Sequence, residues 1–213
     1  MMATKIKIIN LNCGNINSIE NAFKFLNCDT SIEKNFDDLT FCDGIVIPGN
    51  GNFHYVSEEL KKRNQSKLME LIEYGKVPIL GICIGFQIMF KTGYENSVIS
   101  NGLGIFEGDV KLIKNKKNQK NFSLPHIGWN TVEFKKKLPL FDGIENKSSF
   151  YFLHSYVSND IEINDCVSYT NYGEDFISTA EKKNVVGVQF HPEKSHSNGI
   201  KFLNNWLKYY VKN

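Results

Sequence analysis

Apolar residues in the first half of the chain change period in a repeating way. Residues 5–11 (KIKIINL) form a short β-rich run, after which Ile16, Ile19, Ala22, Phe23 and Leu26 recur at the three- and four-residue spacing of one helical face. The run GIVIPG (44–49) is a second buried-looking strand, closed by Pro48 and Gly49. Residues 60–74 can form a polar-faced helix that turns Leu68, Leu71 and Ile72 inward. A third strand, VPILGI (77–82), leads into GFQIMF (85–90), which is expected to continue as helix. Strands and helices alternating at this spacing predict a mostly parallel sheet with helices on its faces.

The second half reads differently. Short β-like runs at 110–113, 131–134, 150–157, 166–169 and 185–190 are separated by turn-rich pieces, a more antiparallel texture. The closing stretch GIKFLNNWLKYYVKN puts Leu203, Trp206, Leu207, Tyr210 and Val211 on one helical face that can pack back on the body. The expected fold class is therefore α/β: a mixed, mostly parallel central sheet flanked by helices, with smaller antiparallel strands in the second half. A single domain over residues 1–213 is expected.

Composition narrows the function classes. A chain of 213 residues, 41% hydrophobic, supports one sizeable core. With 25 basic against 23 acidic residues the net charge is +2, too small to argue for nucleic acid or an anionic membrane surface. The lysines at 111, 114, 116, 117 and 120 lack interleaved aromatics and read as a solvated hairpin tip rather than an anion patch. Five scattered cysteines (13, 28, 42, 83 and 166) with no C-x-x-C pair suggest neither a disulfide framework nor a zinc site, so no metal and a reducing cytosol are expected. The start, MMATKIKIIN, lacks the apolar centre of a signal peptide, and the apolar region 77–90 is interrupted and too short to span a bilayer.

Chemistry-bearing residues cluster at strand ends. Gly81-Ile82-Cys83-Ile84-Gly85 has the form of a nucleophile elbow between a strand and a helix: the flanking glycines allow a tight turn that lifts the thiol above the sheet. A helix N-terminus there would favour the thiolate. Taken alone, Cys83 reads more readily as a small buried hydrophobe. His191, in GVQFHPEKS, also follows a strand. Glu193 lies two residues on, so the pair can supply a base and the carboxylate that orients it; alone, His-Pro-Glu reads as a surface turn. Pro48-Gly49-Asn50-Gly51 could present backbone N–H groups to an oxyanion together with the N–H of Ile84, or could simply be a turn.

The combination of Gly-x-Cys-x-Gly-x-Gln (81–87) with His-Pro-Glu (191–193) resembles class I (triad) glutamine amidotransferases. The segments PGNGNF (48–53), PHIGWN (125–130), YFLHSY (151–156) and QFHPEKS (189–195) look like the glutaminase subunit of imidazole glycerol phosphate synthase, a histidine-biosynthesis enzyme. The resemblance implies a catalytic Cys83, His191 and Glu193, and an oxyanion hole at Gly49, Asn50 and Ile84. Gly51, Gln87, Glu95, Ser155 and Tyr156 would hold the substrate glutamine. It further implies no cofactor, a cytoplasmic location, and ammonia transfer to a (β/α)8-barrel cyclase subunit in a heterodimer. Trp129, Asn130, Tyr151 and Lys194 fall on motifs of that docking face, although core packing is the competing reading for Trp129 and Tyr151.

The chain departs from the family in two places. Residues 10–15 are Asn-Leu-Asn-Cys-Gly-Asn where Asp-Tyr-Gly-x-Gly-Asn is usual, and Asn50 and Asn52 stand in the oxyanion loop. These departures keep open a glutaminase that feeds a sugar-modifying synthetase. A non-catalytic regulatory subunit and a peptidase of the same fold are the remaining alternatives.

Overall fold

The computed structural model describes residues 3–39, 41–75, 77–118, 120, 122–160 and 165–211. Among them run the strands β1 (Lys5–Ile9), β2 (Asp29–Glu33), β3 (Gly44–Ile47), β4 (Ile79–Ile82), β5 (Phe90–Glu95), β6 (Val98–Asn101) and β7 (Phe106–Leu112). The second half adds β8 (His126–Thr131), β9 (Glu133–Phe134), β10 (Ser149–His154), β11 (Tyr156–Val157), β12 (Cys166–Tyr172), β13 (Glu174–Lys182) and β14 (Val185–Val188). The helices are α1 (Ile16–Phe25), α2 (Phe53–Lys61), α3 (Gln65–Glu73), α4 (Ile84–Gln87) and α5 (His196–Trp206), the last continuing as a π turn over Leu207–Val211.

The main sheet has eight strands in the order β2-β1-β3-β4-β14-β13-β12-β9. Strands β2 through β14 pair in parallel, and β13, β12 and β9 extend the sheet antiparallel. The expected mixed, mostly parallel sheet is present. Its central strands β3, β4 and β14 are buried along their whole length, as apolar runs covered on both faces should be. Side-chain alternation sends Val46, Leu80, Ile82 and Val188 to one face, against Phe23 of α1 and Phe202, Leu203 and Trp206 of α5. Ile45, Ile47 and Ile79 face the other way, onto Phe53, Leu68 and Phe86 of α2, α3 and α4. Two smaller sheets, β10-β8 and β11-β7-β5-β6, stand beside the main one.

Helix starts follow local capping chemistry. Asn15 accepts from the Ser18 N–H at 3.4 Å to begin α1, and Asn52 accepts from the Tyr55 N–H at 3.0 Å to begin α2. Asn52 thus has a structural job, which accounts for one of the unusual residues in the oxyanion loop.

Several expected elements are drawn differently by tertiary pairing. The helix expected over residues 60–74 is two helices, broken at Asn64, which adopts a left-handed conformation (φ 55°, ψ 56°). GFQIMF is not a continuous helix: α4 makes one turn, and Phe90 opens β5, where it pairs with Phe106 of β7. The aromatic cluster explains the switch, since Phe90 lies 5.0 Å from Phe86 and 5.6 Å from Phe106 between ring centroids. The run 150–157 splits at Ser155 into β10 and β11, which belong to different sheets. The run 131–134 likewise divides between β8 and β9. Of the lysine cluster, Lys111 lies in β7 and the others in the connection between β7 and β8 rather than at a hairpin tip, and Lys116 and Lys117 pair with Glu174 and Asp175.

Phe106 ties β7 to the helix that follows the elbow, so truncating it tests whether that packing is cooperative with the fold. Phe106→Ala should cost about 3–5 kcal/mol of unfolding free energy, the usual range for a buried Phe. A urea titration followed by circular dichroism reads this directly, and a midpoint unchanged from wild type contradicts it.

Candidate active site

Three neighbouring parallel strands deliver the site. Residue 49 follows β3, Cys83 follows β4 and His191 follows β14, so all three reach the carboxyl edge of the sheet, where open α/β sheets bind ligands. Cys83 is the turn residue between β4 and α4, with φ 54° and ψ −108°, a conformation costly for any residue with a Cβ. Its N–H donates to Val188 O at 2.8 Å, anchoring the turn to β14. The flanking glycines are demanded by close approach: a Cβ on Gly85 would sit 1.7 Å from Ile47 O, and one on Gly81 2.7 Å from Gly85 O.

Cys83 and His191 are both about 3% exposed, so their interaction is shielded from water. His191 Nδ1 meets Glu193 Oε1 at 2.8 Å, and both side chains are buried. The carboxylate accepts, which fixes the proton on Nδ1 and leaves Nε2 as the working nitrogen. Nε2 is buried with no hydrogen-bond partner of ordinary geometry among the described residues. Burial alone would push this imidazole down. Cys83 and then Glu193 outweigh burial and push it up to about 10.

Two other buried histidines behave in the opposite way. Burial lowers His126 to about 4 and holds His154 well below the usual imidazole value, with His126 beside it as a further cause. His154 Nδ1 donates to Tyr156 O at 3.1 Å, so its Nε2 must accept from His126 Nδ1 at 3.1 Å. They form a neutral, wired pair. Electrostatics therefore select His191 from this buried set as the group able to carry charge.

A cleft of about 240 Å³ opens in front of Cys83, lined among others by Asn50, Gly51, Ile84, Gln87, Glu95, Ser155 and Tyr156. All the residues expected to bind substrate thus share one cavity. It is smaller than the roughly 300–1,000 Å³ of drug-sized sites, which suits an amino-acid-sized ligand. Glu95 Oε2 accepts from the Phe53 N–H at 2.6 Å, so this carboxylate both lines the cleft and holds the start of α2.

The oxyanion candidates border the cleft. The first-turn N–H of Ile84, the residue after Cys83, has no intrahelical partner. Gly49 packs so closely that a Cβ would meet Ile84 Cγ2 at 2.4 Å. Asn50 lines the cleft, while its neighbours Gly49 and Gly51 pack on Cys13, whose thiol burial pushes up to about 11 with the Asn50 N–H acting against it.

The sequence profile of the family "Glutamine amidotransferase class-I" matches residues 8–209. The chain belongs to the class I glutamine amidotransferase family. It is 43% identical over 204 residues to the "Imidazole glycerol phosphate synthase subunit HisH" of Methanocaldococcus jannaschii, covering 95% of this chain and 98% of that protein. It is 39% identical to the "Imidazole glycerol phosphate synthase subunit HisH 1" of Campylobacter jejuni, covering 95% and 99%. Solved structures share the fold at lower identity. PurLQS from Thermotoga maritima superposes with a TM-score of 0.74 at 18% identity over 98% of this chain and 99% of that one. A glutamine amidotransferase from the same organism gives 0.63 at 18% identity over 99% and 83%.

Of the four residues expected on a docking face of this amidotransferase, three lie together. Trp129 is 48% exposed, stands edge-on to Tyr151 at 6.1 Å and stacks on His196 at 4.9 Å, while Lys194 Nζ lies 5.8 Å from the centre of the Tyr151 ring. Asn130 points the other way across the pleat. Its Nδ2 donates to Asn171 O at 3.0 Å and approaches His126 Nε2 at 3.3 Å.

Sequence reasoning passed over Gln189, Ser195 and Pro125. Gln189 is 1% exposed, contacts both Gln87 and Cys83, and sits two residues before His191, a spacing that could have flagged it. Ser195 accepts from the Tyr151 N–H at 2.9 Å and donates to His191 O at 2.6 Å. Pro125 lines the cleft.

The raised His191 value has a sign that stability measurements can check. Because the folded value lies above the ordinary one near 6.5, the charged imidazole contributes stability fully below about pH 6.5 and loses it as pH rises through about 10. The stability gap between wild type and Glu193→Gln, followed by urea unfolding, should therefore shrink across that window. A gap that widens toward alkaline pH contradicts the assignment.

Proposed function

We propose that the chain is the glutaminase subunit of an imidazole glycerol phosphate synthase. In this reading it acts as a single amidotransferase domain in a cytoplasmic heterodimer with a (β/α)8-barrel cyclase subunit. The observation that carries the chemistry is the buried Cys83–His191–Glu193 alignment at the edge of three adjacent parallel strands, opening on an amino-acid-sized cleft. Identity of 43% over nearly the whole length of a curated HisH subunit supports the pathway.

The geometry performs glutamine hydrolysis in two half-reactions. Cys83 passes its proton to His191 Nε2, and the thiolate attacks the side-chain amide carbon of glutamine. The oxygen that becomes negative is met by the Ile84 N–H and by a donor from the 49–51 loop. His191 Nε2–H then protonates the departing nitrogen, releasing ammonia and leaving a Cys83 thioester. Water, deprotonated by His191, attacks the thioester and frees glutamate. Glu193 holds the ring throughout. By analogy with the family, the loop is expected to be set for this only when the partner and its ligand bind, as in an enzyme whose glutaminase is switched on by its partner.

Ile127 and Trp129 are exposed on one face of β8, where Trp129 meets Tyr151, and Leu124 is exposed just before Pro125, which borders the cleft. Contiguous exposed apolar surface of this kind marks a protein interaction site, and its continuity with the cleft gives ammonia a short path to a docked partner. Ammonia freed into bulk water would protonate and lose its nucleophilicity.

Two outcomes test the reading. Cys83→Ala should abolish glutamine-dependent turnover with the cyclase while leaving ammonia-dependent turnover intact. Wild-type glutaminase should rise at least tenfold on adding the cyclase with its ligand, the scale of one restored oxyanion donor being about 10²–10³. Equal rates with and without the partner, or activity with an activated sugar in place of the imidazole precursor, point to a different acceptor. Trp129→Ala should weaken the complex by about 2 kcal/mol or more, as central aromatic anchors do, measured by calorimetric titration.

A further inference from the structure

Cys83 Sγ has two hydrogen-bond partners among the described residues: Leu153 O at 3.7 Å and Gln189 Nε2 at 3.7 Å. They suit opposite protonation states. A thiol can donate to the Leu153 carbonyl, but a thiolate has no hydrogen to give and is repelled by that oxygen. Of these two, only the Gln189 amide can donate to the ionised sulfur. We propose that Gln189 is a second side chain, beside His191, that holds the Cys83 thiolate, its amide being locked in the donating orientation through Gln87 by the main-chain carbonyl of Tyr156.

The orientation follows from one fixed acceptor. Tyr156 O lies 2.8 Å from the Gln87 amide, and a carbonyl oxygen cannot donate, so the Gln87 atom there is Nε2. The second hydrogen of Nε2 reaches the Gln189 amide at 3.0 Å, which must present Oε1. Gln189 Nε2 is thereby turned to the sulfur. Tyr156 O is itself pinned, since it also accepts from His154 Nδ1 at 3.1 Å, the last donor of the neutral histidine pair. Gln189 is 1% and Gln87 5% exposed, so bulk water does not compete for these bonds. The same assignment leaves Gln87 Oε1 as the acceptor free for a ligand in the cleft.

The proposal rests on Cys83 being the nucleophile, and the experiment separates the two ideas. Site-resolved alkylation by iodoacetamide, read on the Cys83 peptide by mass spectrometry across pH, is compared for wild type, Gln189→Met and Gln189→Glu. Met keeps the volume and loses both polar contacts without adding charge; Glu keeps an oxygen toward Gln87, replaces the donor at the sulfur by an acceptor and adds a carboxylate there. The expected result is a displacement of the Cys83 profile toward alkaline pH by about one unit in both variants, the scale of one charge-assisted hydrogen bond. Glutaminase kcat should fall roughly tenfold with it and KM change little. Retained melting curves certify the fold, and if Gln189→Met fails to fold, the uncharged Gln189→Leu takes its place. A profile unmoved in Gln189→Glu overturns the proposal, because there both the lost donor and the added carboxylate act against the thiolate; a profile moved in Gln189→Glu but unmoved in Gln189→Met overturns it too, because the shift then comes from the added charge alone. Failure of a glutamine-analogue label to modify Cys83 in the wild type instead overturns the nucleophile assignment.

Discussion

The backbone at Cys83 turns into a conformation that few side chains tolerate because both neighbouring strands hold it there. Its own N–H is fixed to Val188 O of β14, and two residues on, Gly85 is pressed against Ile47 O of β3. A turn of this kind stores on the order of 1–3 kcal/mol. It persists because β3, β4 and β14 are buried along their full length and cannot relax independently. Everything else at the site is placed relative to this clamp. The strand that accepts the Cys83 N–H also delivers His191, so the two side chains are set by one ladder register, Gly81 beside Gly187 and Ile82 beside Val188.

Burial acts on three histidines in this region and yields two outcomes. His126 and His154 receive hydrogen bonds only from or to neutral partners, so burial leaves them uncharged, packed against Phe152 and Tyr172. His191 has a sulfur and a carboxylate as neighbours, and their charge overrides the same desolvation. The neutral pair still matters to the chemistry, since its direction of donation ends on Tyr156 O, which lines up Gln87. Charge is thus confined to one imidazole while orientation is supplied by the other two.

The features legible in the sequence are those carried by short local patterns. The three central strands read as unbroken apolar runs because a parallel sheet covered on both faces requires them. Cys83, His191 and Glu193 were readable because an elbow and a base with its orienter each fit within five residues. Elements fixed by distant partners were not: Phe90 looks helical after Phe86 until Phe106 of β7 claims it as a strand. β13 hides because its Ser178 and Thr179 look polar, yet both are fully buried, Ser178 against Ser168 at 2.9 Å. Gln189 escaped for a related reason. It lies next to the motif, but its meaning depends on Gln87 and Tyr156, far away in the chain.

The ribbon of β8 and β10 serves two purposes with one set of bonds. On its outer side Trp129 and Tyr151 meet Lys194 and His196. On its inner end Pro125 and Leu153 wall the cleft. Tyr151 is also bonded to the segment 191–195 twice: its O accepts from the His191 N–H at 2.8 Å, and its N–H donates to Ser195 Oγ, which in turn donates to His191 O. A partner seated on the exposed row would therefore press on a residue one hydrogen bond from the base. The loop at residues 48–51, by contrast, packs against Cys13 and Gly14 on the connection between β1 and α1, outside that ribbon. His191 and the 48–51 loop thus rest on different parts of the fold, so a shift of the loop need not disturb the imidazole, which the sheet and ribbon hold.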